Sequence, residues 1–286
     1  MITSRLVGGL GNQMFQYASA RALSARLNTS LVLDASEFSS YRLHSYGLDN
    51  FAIAAEVLHA KQNVSLWSKA VSRFKVFMRM GKTQNLCKEK DLSFDPAVLD
   101  LPDNSSLEGY WQSEKYFIDK ADMIRTELAV KTAADGENLR MLQSIRVKLS
   151  VSLHIRRGDY VSDSRANAVH GTCDLAYYEA AAQYIAARCD EMPCFFVFSD
   201  DPDWVAENLN LPFKTVLIRH NGSEKNFEDL RLMSACSHHI IANSSFSWWG
   251  AWLNPSKEKI VVAPQRWFKT SALDSADLLP ANWVRL

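Results

Sequence analysis

Apolar positions near the start of the chain follow two rhythms. Residues 2–7 form a short apolar run, which predicts a strand, and Gly8-Gly9-Leu10-Gly11-Asn12 breaks it as a tight turn. Met14, Tyr17, Ala18, Ala22 and Ala25 then recur at helical spacing and predict a helix over 13–27. Another apolar run follows at 31–34, so strand, glycine turn, helix and strand open a parallel α/β layer. The middle of the chain is less regular. The alternation restarts at residue 149, with strands predicted at 149–155, 194–198, 215–218, 239–242 and 260–262. Helices are predicted between them at 175–188, 202–209, 227–235 and 245–253. Four or five βα units of this kind make an open, mostly parallel sheet. The architecture expected is two Rossmann-like domains meeting near residue 150, with a ligand at the C-terminal ends of the strands.

Composition narrows the class. The 286 residues are 47% hydrophobic and 22% charged, as in ordinary globular proteins. Lys plus Arg and Asp plus Glu both number 32, so no overall field favours nucleic acid. Five cysteines without a C-x-x-C pair predict free thiols in a reducing cytosol rather than a disulfide or zinc framework. No apolar run reaches the roughly 18 residues that a membrane span needs, and no secretory leader is expected. Between residues 58 and 82, six basic residues and no acidic one alternate with Trp67, Val71, Phe74 and Phe77. Such a segment either presents a solvated basic face or lies against anionic lipid.

Four clusters carry candidate chemistry. His154-Ile155-Arg156-Arg157-Gly158-Asp159 ends a buried strand, where two adjacent arginines are costly unless they meet anions. A guanidinium fork suits pyrophosphate oxygens. Alternation along the strand sends His154 and Arg156 one way and Arg157 the other. Arg156 is therefore the expected phosphate ligand, with Arg157 and Asp159 as a structural pair. The competing reading joins all four charges in one ion-pair network. Asn243-Ser244-Ser245-Phe246-Ser247 precedes three tryptophans at a predicted helix start. Its hydroxyls and amides either bind an anion or cap the helix, and the tryptophans read as core. Ser199-Asp200-Asp201-Pro202-Asp203 follows another strand. A carboxylate there can accept two hydrogen bonds from guanine, while Pro202 favours a capped helix over a metal-binding Asp201/Asp203 pair. The opening glycine turn either cradles phosphate or lets the backbone approach a sugar.

Together the four blocks GGLGNQMFQYA (8–18), HIRRGDY (154–160), FVFSDDPDWV (196–205) and SSFSWWGAWL (244–253) resemble the bacterial α-1,2-fucosyltransferases of glycosyltransferase family 11. The resemblance implies an α/β, GT-B-like fold of two Rossmann-like domains facing each other across a cleft. Residues 1–148 would bind the acceptor and 149–286 GDP-fucose. It implies an inverting, metal-independent transfer of L-fucose from GDP-β-L-fucose to the 2-hydroxyl of a terminal β-galactoside, with no cofactor. Arg156 would neutralise the leaving β-phosphate. His154 would lie beside the nucleotide with Arg157, and Asp200 or Asp201 would read guanine. Ser244, Ser245, Phe246 and Ser247 would hold the pyrophosphate and fucose, while Gly11, Asn12 and Gln13 would face the donor sugar, Asn12 and Arg156 being the catalytic pair. Asp159, Glu108 and Asp34 are candidates for accepting the acceptor's proton. Trp111 is the expected acceptor platform, since an indole stacks on galactose. The expected setting is cytoplasmic surface-polysaccharide or O-antigen synthesis, with a lipid-linked acceptor met through the 58–82 segment at the inner membrane. Another GDP-sugar transferase, or a glycan-binding protein without catalysis, are the rival readings.

Overall fold

The computed structural model describes residues 1–40, 44–59 and 85–286. All six cations of the 58–82 segment lie outside the described residues. The chain divides into two compact units, Met1–Ala129 with Ala276–Leu278, and Val130–Ser275 with Leu279–Leu286. The division thus falls ahead of the 148/149 boundary drawn from the sequence. The reason is local: the helix Gly136–Arg146 packs within the second unit, where Asn138 Nδ2 donates to Asn221 Oδ1 at 2.9 Å.

The first unit holds five parallel strands in the order β3-β2-β1-β5-β4. They are β1 (Ile2–Arg5), β2 (Leu31–Asp34), β3 (Glu56–Leu58), β4 (Asn85–Lys88) and β5 (Ser105–Glu108). Helix α1, Leu10–Arg26, starts three residues earlier than its apolar spacing indicates, so Gly11 and Asn12 belong to its first turn. Its burial is not a single stripe: Phe15, Gln16, Ser19 and Leu23 are buried as well as Met14 and Tyr17. Helix α2, Ala121–Glu127, explains part of this. Its Glu127 takes a forked ion pair from Arg21 at 2.8–3.0 Å and a hydrogen bond from Tyr17 Oη, joining α1 to α2.

The second unit opens with α3, Gly136–Arg146, and builds a six-stranded parallel sheet in the order β11-β10-β9-β6-β7-β8. The strands are β6 (Ser150–Ile155), β7 (Cys194–Ser199), β8 (Thr215–Leu217), β9 (His238–Ile240), β10 (Val261–Ala263) and β11 (Val284–Arg285). Short helices α4 (Gly158–Ser162) and α5 (Ser164–Val169) follow β6, then α6 (Leu175–Ala186). Helices α7 (Pro202–Asn208), α8 (Asn226–Ser234) and α9 (Ser245–Leu253) follow β7, β8 and β9. Strands β6 and β7 are buried on both faces, as central parallel strands must be. Val151, Leu153, Ile155, Phe195 and Val197 form one core with Tyr177, Ala181 and Ile185 of α6. Each such large apolar side chain contributes about 1.5–3 kcal/mol on burial. Trp248, Trp249 and Trp252 are buried in mutual contact, with Trp283 5.4 Å from Trp248, so the tryptophan reading as core holds. Among the described residues no helix is long and apolar enough to cross a membrane.

Candidate functional site

Register builds the charged cluster of the second unit. In the β6–β7 ladder Ile155 lies opposite Ser199, so the residues leaving the two strands emerge side by side. Asp200 Oδ1 accepts from the Arg157 backbone N–H at 2.8 Å, and Oδ2 forms an ion pair with Arg156 Nη1 at 2.8 Å. Arg156 also pairs with Asp159 through Nη2, and its guanidinium lies 5.3 Å from the Tyr160 ring. Arg157 turns the other way, as alternation requires, to Asp201 Oδ2 at 3.1 Å, with its guanidinium 3.6 Å over the Trp204 ring. The expected Arg157–Asp159 pair is therefore corrected: Asp159 belongs to Arg156. The network is wider than the motif, since Asp200 joins Arg156 and Asp201 takes Arg157, while half-buried Asp159 stays with Arg156. A Cβ at Gly158 would fall 2.4 Å from Asp200 Oδ2, so a larger residue there would push that carboxylate away from its place beside Arg156.

Asp201 caps α7 through the Trp204 N–H at 3.3 Å, and Asp203 pairs with Arg219 at 3.0 Å. These two carboxylates have separate partners, which favours the capped helix over a metal pair. Among the described residues no group of three or more His, Cys, Asp or Glu is arranged to hold a metal ion. Asp200 accepts from the Arg157 N–H and pairs with Arg156, and Asp201 accepts from Arg157 Nε and the Trp204 N–H.

His154 and Phe246 meet with their ring centres 5.7 Å apart. His154 is buried, and its Nδ1 has no hydrogen-bond partner among the described residues. Burial drives its pKa down to about 4, only partly opposed by Asp200, so the imidazole is neutral through the physiological range. Phe246 lies in the first turn of α9, whose N-cap Ser244 makes no side-chain capping bond among the described residues. Capping is thus not what holds Ser244. The Ser247 hydroxyl instead donates to the carbonyls of Ser244 and Ala242 at 3.3 and 3.5 Å, buried behind the turn. Asn243 anchors the loop after α5 by donating to the carbonyls of His170 and Trp267 at 2.9 and 3.2 Å. His170 stacks on Tyr160 at 4.6 Å, which ties that loop to the Arg156 cluster.

The corresponding turn of the first unit is made of neutral groups. Gly8 adopts φ +80°, the left-handed region that β1 needs to turn into α1. Gln13, expected at the donor sugar, is fully buried and binds backbone instead. Its Nε2 donates to the Gly8 and Ser45 carbonyls at 2.9 Å, and its Oε1 accepts from the Gly47 N–H at 3.0 Å. Gln16 repeats the device, accepting from Val7 N–H at 3.0 Å and donating to the Gly109 carbonyl at 3.1 Å. Gly11 is buried within α1, while half-buried Asn12 accepts from Gln112 Nε2 at 2.8 Å.

Trp111 is not an exposed platform. Its side chain is 1% exposed, packs edge-on to Tyr116 at 5.6 Å, and follows a backbone with φ +57°. Glu89, overlooked in the sequence, holds that backbone: Oε2 accepts from Tyr110 N–H at 2.6 Å and Oε1 from Trp111 N–H at 2.8 Å. Of the three proton-acceptor candidates, Asp159 is paired as described and Glu108 lies 3.3 Å from Lys88. Asp34 accepts from the Ser36 N–H at 3.0 Å. A second overlooked group is Asp229 at the start of α8. Its carboxyl accepts from Asn221 Nδ2 at 2.8 Å, and burial pushes its pKa up to about 7, opposed by that bond and aided by Glu228.

A family model for glycosyl transferase family 11 matches residues 1–286. An alpha-1,2-colitosyltransferase of Escherichia coli is 36% identical, the match covering 100% of this chain and 99% of the relative. An O-antigen biosynthesis glycosyltransferase, WbnK, of the same organism is 32% identical over 99% of both chains. Galactoside alpha-(1,2)-fucosyltransferase 1 of Rattus norvegicus is 28% identical over 86% of this chain and 61% of its own length. Among solved structures, POFUT1 in complex with GDP aligns at TM-score 0.52 and 12% identity, covering 92% of this chain and 97% of that one. At that identity the likeness concerns the fold, which is α/β and GT-B-like with two parallel-sheet units.

Proposed function

The chain belongs to glycosyl transferase family 11, and from that premise we propose that it transfers a 6-deoxy-L-hexose of the fucose type from a GDP-linked donor to the 2-hydroxyl of a terminal β-galactoside. The observation that carries the reading is the end of β6. There Arg156 is aimed by Asp200, and the unpartnered Nδ1 of neutral His154 lies against Phe246 at the N-terminus of α9. In the transfer, the bond between the sugar's anomeric carbon and the β-phosphate oxygen breaks, and a bond to the acceptor oxygen forms on the opposite face. The acceptor hydroxyl gives up its proton to solvent, and GDP leaves with the electron pair. Arg156 and the N–H groups at the start of α9 stabilise the charge that builds on the diphosphate. That fixed positive field is the function a metal ion serves in other diphosphate chemistry, so no metal is needed. His154 orients the nucleotide from within the sheet.

Two donors fit, GDP-L-fucose and GDP-colitose, colitose being L-fucose without its 3-hydroxyl. Fucose is supported by the four motif blocks and colitose by the 36% identical relative. Hydroxyl recognition separates them. A site that hydrogen-bonds the 3-hydroxyl rejects the deoxy sugar by about 10⁴-fold, whereas an apolar site discriminates only about 10²-fold. The names of the bacterial relatives support a place in surface-polysaccharide assembly. The test is GDP release with EDTA present, from each donor, with and without lactose or Galβ1,3GalNAc. Acceptor-stimulated release from one donor supports the reading and identifies the sugar. Neither release nor binding of either GDP-sugar leaves a different donor or a glycan-binding protein.

A further inference from the structure

A guanidinium offers its N–H donors along its edge, while its two flat faces donate nothing. The ion-pair partners of Arg156, Asp159 and Asp200, both take edge N–H groups. An incoming diphosphate uses that same edge, so it competes with both carboxylates. Asp159 stands only three residues further along the chain and is half-buried, and a pair so open to water holds a long side chain weakly. Tyr160 meets the face instead: the guanidinium carbon of Arg156 lies over its ring, 5.3 Å from the ring centre. A contact on the face leaves the edge open to an anion and survives the anion's arrival.

The ring can hold an arginine because it is itself held. Tyr160 lies in α4, where its carbonyl accepts from Asn167 Nδ2 at 2.6 Å. The His170 imidazole stacks on it, 4.6 Å between centres and 1° from parallel, and Phe268 meets His170 in turn at 5.6 Å. Burial lowers the pKa of His170, and its Nδ1 has no partner among the described residues, so the imidazole serves as a neutral flat surface. The Tyr160 hydroxyl donates to the Asn243 carbonyl at 3.3 Å, and Asn243 Nδ2 donates to the His170 carbonyl at 2.9 Å. Burial pushes that hydroxyl up to about 12, against the opposing charge of Arg156, so the phenol keeps its proton and remains a donor. One residue thus fastens both rings, and it stands immediately before Ser244, the N-cap of α9. The support of Arg156 is therefore continuous with the helix start whose N–H groups face the same anion.

We propose that Tyr160 is a positioning residue for the transfer: its ring holds the face of Arg156 so that the guanidinium edge stays aimed at the diphosphate, while His170 and Asn243 lock the ring to the start of α9. The proposal rests on the GDP-sugar reading and adds what aims its arginine. A double-mutant cycle tests it. Tyr160→Leu removes the ring and Tyr160→Phe only the hydroxyl, each made in wild type and in Arg156→Ala. Calorimetric GDP affinity and kcat at saturating acceptor are the readouts. His170→Leu removes the backing ring, leaves Tyr160 in place, and carries the same cycle where Tyr160→Leu fails to fold. In wild type, Tyr160→Leu should lower kcat and GDP affinity about tenfold, the size of a partly desolvated cation–π contact, and Tyr160→Phe or His170→Leu about threefold. In Arg156→Ala each loss should shrink to less than about twofold, because the ring acts through the missing guanidinium. A loss of unchanged size in Arg156→Ala overturns the proposal, since the ring would then support the fold alone. Tyr160→Phe falling as far as Tyr160→Leu, or Tyr160→Leu and His170→Leu both matching wild type, overturns it as well. GDP binding without turnover of either GDP-sugar overturns the donor reading alone, and the cycle is then read from GDP affinity. Wild-type protein that does not bind GDP overturns both.

Discussion

In both units the first parallel strand turns into a helix, yet the two turns use different chemistry. After β1 the turn is neutral: Gln13 and Gln16 fasten backbone, and Asn12 meets Gln112. After β6 it is charged: Arg156 and Arg157 meet Asp159, Asp200 and Asp201. Topology therefore does not decide what a strand end binds. Amides shape a turn and read hydroxyls at little electrostatic cost, whereas a buried guanidinium is tolerated only where carboxylates or a ligand anion compensate it. Under the proposed function, the diphosphate would be met by the charged turn of the second unit, and the neutral turn of the first would suit an uncharged ligand.

The sharpest way to break this contrast is to remove one group from each turn. Arg156→Ala should lower the transfer rate about 10²–10³-fold, and Asn12→Ala only about tenfold, measured as kcat with saturating acceptor. Equal losses would show that the neutral turn shares the charge stabilisation. A smaller effect concerns the fold. Gln13→Leu removes the partners of three backbone groups in a fully buried place, and should cost about 3 kcal/mol in a denaturant titration. A stability within 0.5 kcal/mol of wild type, about the level of a neutral surface substitution, would mean the turn does not depend on its amide fastener.

The smallest effect probes charge held away from the strand ends. Asp229 has a folded pKa of about 7 against an ordinary value near 3.8. The fold therefore favours its protonated form, and the associated stability, full below pH 4, is lost as pH rises towards and through 7. Asp229→Asn should match wild type at pH 4 and melt about 2–4 °C higher at pH 8. Buried His154 acts in the opposite sense, since its depressed pKa makes stability fall as pH drops below about 6.5 towards 4. Comparing the variant with wild type at each pH removes that common background. A difference that does not change with pH would mean Asp229 stays ionised in the fold.

The second unit was the more legible in sequence, for a physical reason. Strand β7 is apolar from Cys194 to Phe198 and β6 carries Val151, Leu153 and Ile155, so their ends are marked and the charges that follow stand out. Helix α9 spans 245–253 as its apolar block indicates. In the first unit, Asn85–Lys88 and Ser105–Glu108 carry little apolar signal, and neither β4 nor β5 was predicted. The residues at their ends were misread with them. Trp111 looked like a platform because a sequence does not show a φ of +57° or the carboxylate that enforces it. Gln13 looked like a ligand because spacing does not reveal which backbone groups lack partners. The Arg156–Asp159 pair was missed because it depends on the turn at Gly158 rather than on strand alternation.

The short return of residues 276–278 to the first unit bears on how the protein is made. Asp277 accepts from the Phe94 N–H at 2.9 Å and pairs with Lys115, and its carbonyl accepts from Ser113 Oγ at 2.7 Å. Those partners leave the ribosome more than 160 residues before Asp277 does. At about 5–20 residues per second, the half that is synthesised first waits on the order of ten seconds or more for its last hydrogen-bonding partner. The N-terminal half is therefore completed last, and a nascent chain stalled before residue 276 carries it unsealed.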